Sequence, residues 1–195
     1  PPPAPLPAPL PAPAPAGFVP PPYPYDRLNR LLPITDAHDG GTVDLSIGTP
    51  FDPPPAAVID ALSTSGSERS YPPSIGTAAF RQAAHRWMQR RFGVEVPIGQ
   101  IGATIGSKEF VATLPQWMQL RTPSRDTVLY PAISYPSYEM GAILAGCRPV
   151  PVPTLPDGRM DLDSIDAADA ERALLLWVNS PGNPTGALDD LDAAA

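Results

Sequence analysis

Three short segments carry residue types suited to holding a flat, anionic ligand. The first is Ile105-Gly106-Ser107-Lys108-Glu109. Gly106 permits a tight turn, and a helix opening there presents unpaired backbone amides beside the Ser107 hydroxyl, a natural anion cup. A Gly-Ser turn that merely caps a helix has the same appearance. The second is Tyr135-Pro136-Ser137-Tyr138. Its first ring could stack on a planar group, or could pack beneath a helix start. The third is Asn179-Ser180-Pro181-Gly182-Asn183-Pro184-Thr185-Gly186. A plain turn does not need two Asn-containing dipeptides and two prolines. X-Pro bonds of this kind are candidates for the cis form, which would fix the Asn183 amide, a group that both donates and accepts. This third segment is the most specific signal in the chain.

The elements that must position these segments are legible as alternating strands and helices. The spacing of Phe80, Ala83, Ala84, Trp87 and Met88 predicts a helix over 77–92, with Thr77 as N-cap and Gly93 just past its end. His85 is off that stripe, has no second ligand at i+4, and reads as an exposed helix residue. A strand over 101–105 should feed the helix that opens at Gly106. That helix carries Phe110, Val111, Leu114, Trp117 and Met118 on one side, and Pro115 should kink it or delay its start. Strands are expected at 127–130, 150–152 and 173–178, and a helix at 136–145 ended by Gly146. Asp157-Gly158 is a turn. Residues 43–47 alternate like a short strand, 48–55 form a rigid loop, 56–62 suit a short helix, and 63–70 read as a polar loop. The pattern is that of an α/β domain with a mostly parallel sheet, in which ligands bind beyond the carboxyl ends of the strands. The Met and Trp positions fall on core stripes.

Composition narrows the function classes. Of 195 residues, 31 are proline, and 13 of these stand in residues 1–24. That stretch favours extended polyproline II and cannot build a core. It reads as a disordered tail over 1–25, or as a ligand for an SH3 or WW domain, or as sequence upstream of a misassigned start. A net charge of −7 argues against broad attraction to nucleic acid or acidic membranes. No apolar run is long enough to span a bilayer, and no signal peptide is visible at this N-terminus. The single cysteine, Cys147, allows no internal disulfide and no Cys-rich zinc site, and it fits a reducing, cytoplasmic compartment.

Taken in order, the three segments resemble the fold-type I, class I/II aminotransferases that use pyridoxal 5′-phosphate. The resemblance runs from about Asp44 to Gly186, with Asn-Pro-Thr-Gly after an apolar strand as its hallmark. It implies that Gly48 belongs to a Gly-x-Pro substrate loop. Tyr71 would reach the cofactor phosphate of a partner subunit, so a homodimer is expected. Ser107 and Lys108 would form the phosphate cup, Tyr135 would stack on the pyridine ring, and Asn183 would bond the cofactor's 3′ oxygen. Asp-Leu-Ser-Ile-Gly-Thr-Pro-Phe-Asp-Pro-Pro-Pro, Tyr-Pro-Pro-Ser-Ile-Gly-Thr and Ile-Gly-Ser-Lys-Glu-Phe look most like the actinobacterial succinyldiaminopimelate aminotransferases of lysine biosynthesis. The implied substrates are an amino acid, glutamate for instance, and a keto acid. Residues 26–70 would be an N-terminal arm and small-domain segment, and 71–195 the first part of the large cofactor-binding domain.

One residue does not follow. An aminotransferase needs a lysine for a Schiff base with its cofactor and for proton transfer. Lys108 is the only lysine, and the resemblance places it at the phosphate, away from the aldehyde. The family's Schiff-base lysine comes later, in a Ser-x-x-Lys-like segment. The expectation is therefore an N-terminal portion of a transaminase, inactive by itself. A same-fold C–S lyase or decarboxylase, or a non-catalytic chain with a Pro-rich interaction segment, are the alternatives.

Overall fold

The computed structural model describes residues 23–48 and 50–190. The expected Pro-rich tail lies almost wholly outside them, as do Thr49 of the Gly48 loop and residues 191–195. The chain divides into two compact units, Pro1–Thr42 and Val43–Ala195.

In the first unit, two short helices are described, α1 (Pro24–Asn29) and α2 (Leu32–Asp36). Each has a proline in its first positions, where a missing N–H costs nothing. The Thr42 hydroxyl closes the segment by hydrogen bonding to Thr35 and to the Asp36 carboxylate, at 2.8 and 2.5 Å.

The second unit begins with α3 (Ala56–Ser63) and α4 (Ala78–Phe92). Thr77 caps α4 by accepting from the Phe80 amide at 3.2 Å, and Gly93 ends it at φ 68°. Two expectations fail here. The alternating run 43–47 forms no strand, and Leu45 is 88% exposed. Residues 101–105 form no strand either, and the Ala103 amide donates to the Ile75 carbonyl across a loop contact. Alternation specifies the faces of a strand, but a strand also needs a neighbour for its amides. His85 is corrected too: it is half-buried, with Nδ1 2.8 Å from the Val96 carbonyl oxygen, so it ties the chain after α4 back to that helix.

The sheet is built by β1 (Thr127–Pro131), β2 (Arg148–Val152) and β3 (Ala173–Leu176). All three are parallel in the order β2-β1-β3. Central β1 is covered on both faces, which is why it reads as a continuous apolar run. Val128 packs with Ala142, Cys147 and Leu174 on one face, and Leu129 with Val152 and Met160 on the other. Of the expected buried strand at 173–178, the ladder stops at Leu176 and only Leu174 is buried.

The first face is covered by α5 (Ser107–Arg121) and α6 (Ser137–Leu144). Helix α5 starts at Ser107 and continues through a fully buried Pro115, so the proline does not delay its start. Pro115 has no amide to give the Val111 carbonyl four residues earlier. That carbonyl lies against α6 at Gly141, where an added Cβ would stand 3.0 Å from the oxygens of both Val111 and Ala112. A glycine on α6 thus lets the two helices meet where the ladder of α5 is interrupted. The short α7 (Ala167–Glu171), capped by the Asp166 carboxylate, leads into β3.

Candidate functional site

Two loops leave the carboxyl ends of adjacent strands, 131–136 after β1 and 177–189 after β3. Their neighbour is the start of α5. Gly106 serves as N-cap at φ 80°, and no atom lies within 4 Å of where its Cβ would be. Preceding Ile105 is 90% exposed. The turn into α5 is therefore open, and the first-turn amides of a helix have no intrahelical acceptors. The Glu109 carboxylate folds back to accept the Ile105 amide at 2.5 Å, which fixes the turn.

Lys108 and Tyr135 come together. The Lys108 ammonium stands over the Tyr135 ring, 5.7 Å from its centroid, within cation–π range. Tyr135 is half-buried, and its carbonyl accepts the Tyr138 amide at 3.2 Å, which sets the start of α6. Behind this start lies an aromatic trio. Trp177 stacks on Tyr138 at 5.2 Å and meets Phe110 edge-on at 6.2 Å, joining β3, α6 and α5. Burial pushes the Tyr138 phenol upward. Tyr130, at the end of β1, is pushed up to about 12 by burial first, then by the charge of Glu139 and a hydrogen bond to it.

Asn183 lines a cleft with Ser134, the residue before Tyr135, and with Pro131, Thr154 and Asn179. The peptides before Pro181 and Pro184 are cis. The loop is closed on itself by Gly182 N–H donating to the Ala187 carbonyl and Gly186 N–H to the Gly182 carbonyl, both 2.8 Å. Beneath it sits a small hairpin in which Thr154 and Met160 pair antiparallel about the turn at Gly158 (φ 89°). Asp189 latches the two. Its carboxylate accepts the Met160 amide at 2.9 Å, and its own amide donates to the Ser180 hydroxyl at 3.1 Å. The residue patterns do not announce this hairpin as a support. Its turn is visible as Asp157-Gly158, but a latch between residues 29 positions apart leaves no periodic mark.

Two sequence-predicted residues are not brought to this place. Tyr71 is fully exposed, Gly48 is exposed with nothing within 4 Å of its Cβ position, and neither lines the cleft. A second, larger cavity of about 290 Å³ lies beyond the hairpin and is lined by Arg159, Asp161, Asp163, Asp189 and Asp190 among others. Among the described residues, no group of His, Cys, Asp or Glu is arranged to hold a metal ion. No helix among them is long and apolar enough to cross a membrane.

The opposite, amino end of the sheet is closed by charge. Arg172 pairs with Asp126 through two hydrogen bonds, one of them 2.9 Å from Nε, and Arg148 pairs with Asp169. The Arg172 guanidinium holds the Asp126 carboxyl below its ordinary range.

The donor set at the carboxyl end fits a phosphorylated planar molecule. Open helix amides and an ammonium suit a phosphate, an aromatic ring suits a flat face, and a side-chain amide suits a polar substituent. A family described as aminotransferase class I and II matches residues 41–193. The 4-dedimethylamino-4-oxo-anhydrotetracycline transaminase OxyQ of Streptomyces rimosus is 37% identical over 85% of this chain and 43% of its own length. The LL-diaminopimelate aminotransferase of Desulforudis audaxviator is 40% identical over 86% of this chain and 44% of its own. The structure of a probable N-succinyldiaminopimelate aminotransferase from Thermus thermophilus superposes with a TM-score of 0.72 at 32% identity, covering 87% of this chain and 46% of that one. The chain therefore spans about half the length of the relatives it matches.

Proposed function

Since this chain belongs to the class I and II aminotransferases, and has their fold-type I architecture, we propose that it forms the phosphate- and ring-binding part of a pyridoxal-phosphate-dependent transaminase. The observation that supports this most is the meeting of the α5 start, Lys108 and Tyr135 at the carboxyl edge that also carries Asn183. Bound there, the cofactor supplies an electron sink for charge developing at the Cα of an amino acid. The residues of this chain bind and orient. The amides of Ser107 and Lys108 hold the phosphate, with the Lys108 ammonium adding charge. Tyr135 sets the tilt of the ring by stacking. Asn183 donates its side-chain amide to the 3′ oxygen, and the Asp189 latch keeps it there. Gly48, which does not line the cleft in this chain, would border the substrate in the homodimer. Tyr71, fully exposed, reaches the phosphate site of a second subunit in a homodimer.

The substrate reading is a keto acid accepting the amino group of glutamate, with a diaminopimelate or N-succinyldiaminopimelate skeleton as the amino product. Its support lies in the relatives bearing those names. On this reading the proton transfer at Cα has no agent in these residues, since Lys108, which stands over the Tyr135 ring, belongs to the phosphate site. The 195 residues alone are thus expected to bind the cofactor without turning over.

Calorimetric titration of pyridoxal phosphate into the chain tests this. One site is expected, weakened by Tyr135→Ala, with no cofactor left covalently attached to the protein after borohydride reduction and gel filtration, and no glutamate-dependent turnover. Cofactor fixed covalently to the protein by borohydride, and no longer fixed in Lys108→Ala, would overturn the assignment of Lys108. Absence of any pyridoxal phosphate binding, with pyridoxal lacking the phosphate doing no worse, would overturn the site.

A further inference from the structure

The turn into α5 is held in a way that spares the amides a phosphate would use. Gly106 sits at φ 80° and ψ 158°, a region of backbone space open essentially to glycine alone. Glycine also has the most conformational freedom to lose, so such a turn keeps its shape only where something fixes it. Commonly the cap residue does this with a Ser, Thr, Asp or Asn side chain, which accepts an amide of the second or third helical residue. Gly106 has no side chain with which to do so. That role falls to Glu109, the third residue of α5. In a capping box a Glu at this position reaches back to the amide of the cap itself. Here it reaches one residue further, and its carboxylate accepts the Ile105 amide at 2.5 Å. The bond closes a ring around Gly106 and uses no amide of the first turn.

We propose that Glu109 is a positioning residue of the phosphate cup, with two contributions of opposite sign. Its hydrogen bond keeps the turn in shape before a ligand arrives, which lowers the cost of ordering it on binding. Its charge does the reverse. A carboxylate in the first turn suits the positive end of the helix and competes there with an anion. The ammonium of the neighbouring Lys108, over the Tyr135 ring, offsets that charge. With the two side-chain charges balanced, the backbone amides carry the recognition of the phosphate. This consequence rests on the reading of the α5 start as the cofactor's phosphate site. The tie from Glu109 to Ile105 does not.

Two neutral replacements of similar length separate the hydrogen bond from the charge. Glu109→Gln keeps an acceptor oxygen and removes the charge, whereas Glu109→Met removes both, and each suits a helix. Exchange of the Ile105 amide is followed by NMR in the chain without ligand, with the β1 amides as reference for the fold. Glu109→Met is expected to speed it roughly fivefold over Glu109→Gln, the size of one lost hydrogen bond. Calorimetric titration with pyridoxal phosphate then reads the cup. Glu109→Gln should bind about twofold more tightly than wild type at low salt, with the gap closing as salt rises. Glu109→Met should bind roughly fivefold more weakly than Glu109→Gln. Pyridoxal, which lacks the phosphate, should not distinguish the two variants. Equal Ile105 exchange in the two variants would overturn the proposal, as would a difference between them that pyridoxal shows as strongly as pyridoxal phosphate. A wild-type chain that binds no pyridoxal phosphate, while Ile105 still exchanges faster in Glu109→Met, would sink the cofactor reading and spare the tie at the turn.

Discussion

The two ends of the three-stranded sheet solve opposite problems. At the amino end, charges are paired with one another: Asp126 with Arg172, and Asp169 with Arg148. Arg125 adds a 3.0 Å bond to the Ala173 carbonyl, so that end is tied into the chain itself. At the carboxyl end, polar groups are held still by neighbours without being consumed by them. Gly106 opens a helix into free space, Tyr135 lies half-buried, and Asn183 rides on a latched loop. Satisfied polar groups build a structure. Fixed but underused ones build a site, because the cost of ordering them is met before a ligand arrives.

That contrast can be attacked at either end. The largest effect is expected from Gly182→Ala. A Cβ there would lie 2.5 Å from the Thr185 hydroxyl oxygen, so the Thr185 side chain or the loop must shift, at about 1–3 kcal/mol of stability. Chemical denaturation checks the stability loss, and calorimetry should show pyridoxal phosphate affinity falling with it. Next is Tyr135→Ala, which should weaken pyridoxal phosphate roughly tenfold by removing the stacking face, with Tyr135→Phe close to wild type. Unchanged affinity in Tyr135→Ala would break the comparison, since the carboxyl end would then lack its ring platform.

The ends should also titrate at opposite extremes. Tyr130, near the carboxyl end, has its phenol raised from 10.0 to about 12. Above pH 10 the unfolded chain loses this proton while the folded chain keeps it, so stability falls as pH rises from 10 towards 12. Tyr130→Phe should flatten that alkaline slope in urea midpoints. Smallest is the change at the amino end. Asp126 is depressed below the ordinary 3.8. Its contribution is present above that value and is lost as pH falls through the lower folded value. Asp126→Asn should remove this acid slope, modestly and in a salt-dependent way, because the pair is exposed. It should leave pyridoxal phosphate affinity unchanged, and a drop would show that the two ends are not independent.

Much of the architecture is legible in the residues. The stripe from Phe80 to Met88, the apolar run at 127–130, and the glycines at 93 and 146 mark elements that form as expected, and the run at 173–178 forms its strand over the first four residues. These signals are local, and local periodicity survives without knowledge of neighbours. The runs 43–47 and 101–105 fail for the complementary reason, because pairing is a property of two segments and alternation belongs to one. The site divides the same way. Gly106, Tyr135 and Asn183 are readable because each follows a strand or opens a helix. Asp189 is not, since it acts through contacts between a hairpin and a loop far apart in the chain. Tyr71 and Gly48 are readable as motifs, yet nothing in their surroundings draws them to the cleft.

The aromatic trio also gives the molecule an optical handle. Three tryptophans are present, and Trp87 and Trp117 are each about half exposed, at 52% and 53%. Trp177 instead stacks on Tyr138 and abuts Phe110, two residues before Asn179. Its emission should be bluer than that of the other two, and Tyr138 should pass excitation to it across the 5.2 Å between their rings. A Trp87→Phe, Trp117→Phe background would therefore leave one fluorophore at the root of the Asn183 loop. Its colour would follow the opening of that end of the sheet while the salt-bridged end stays spectroscopically silent.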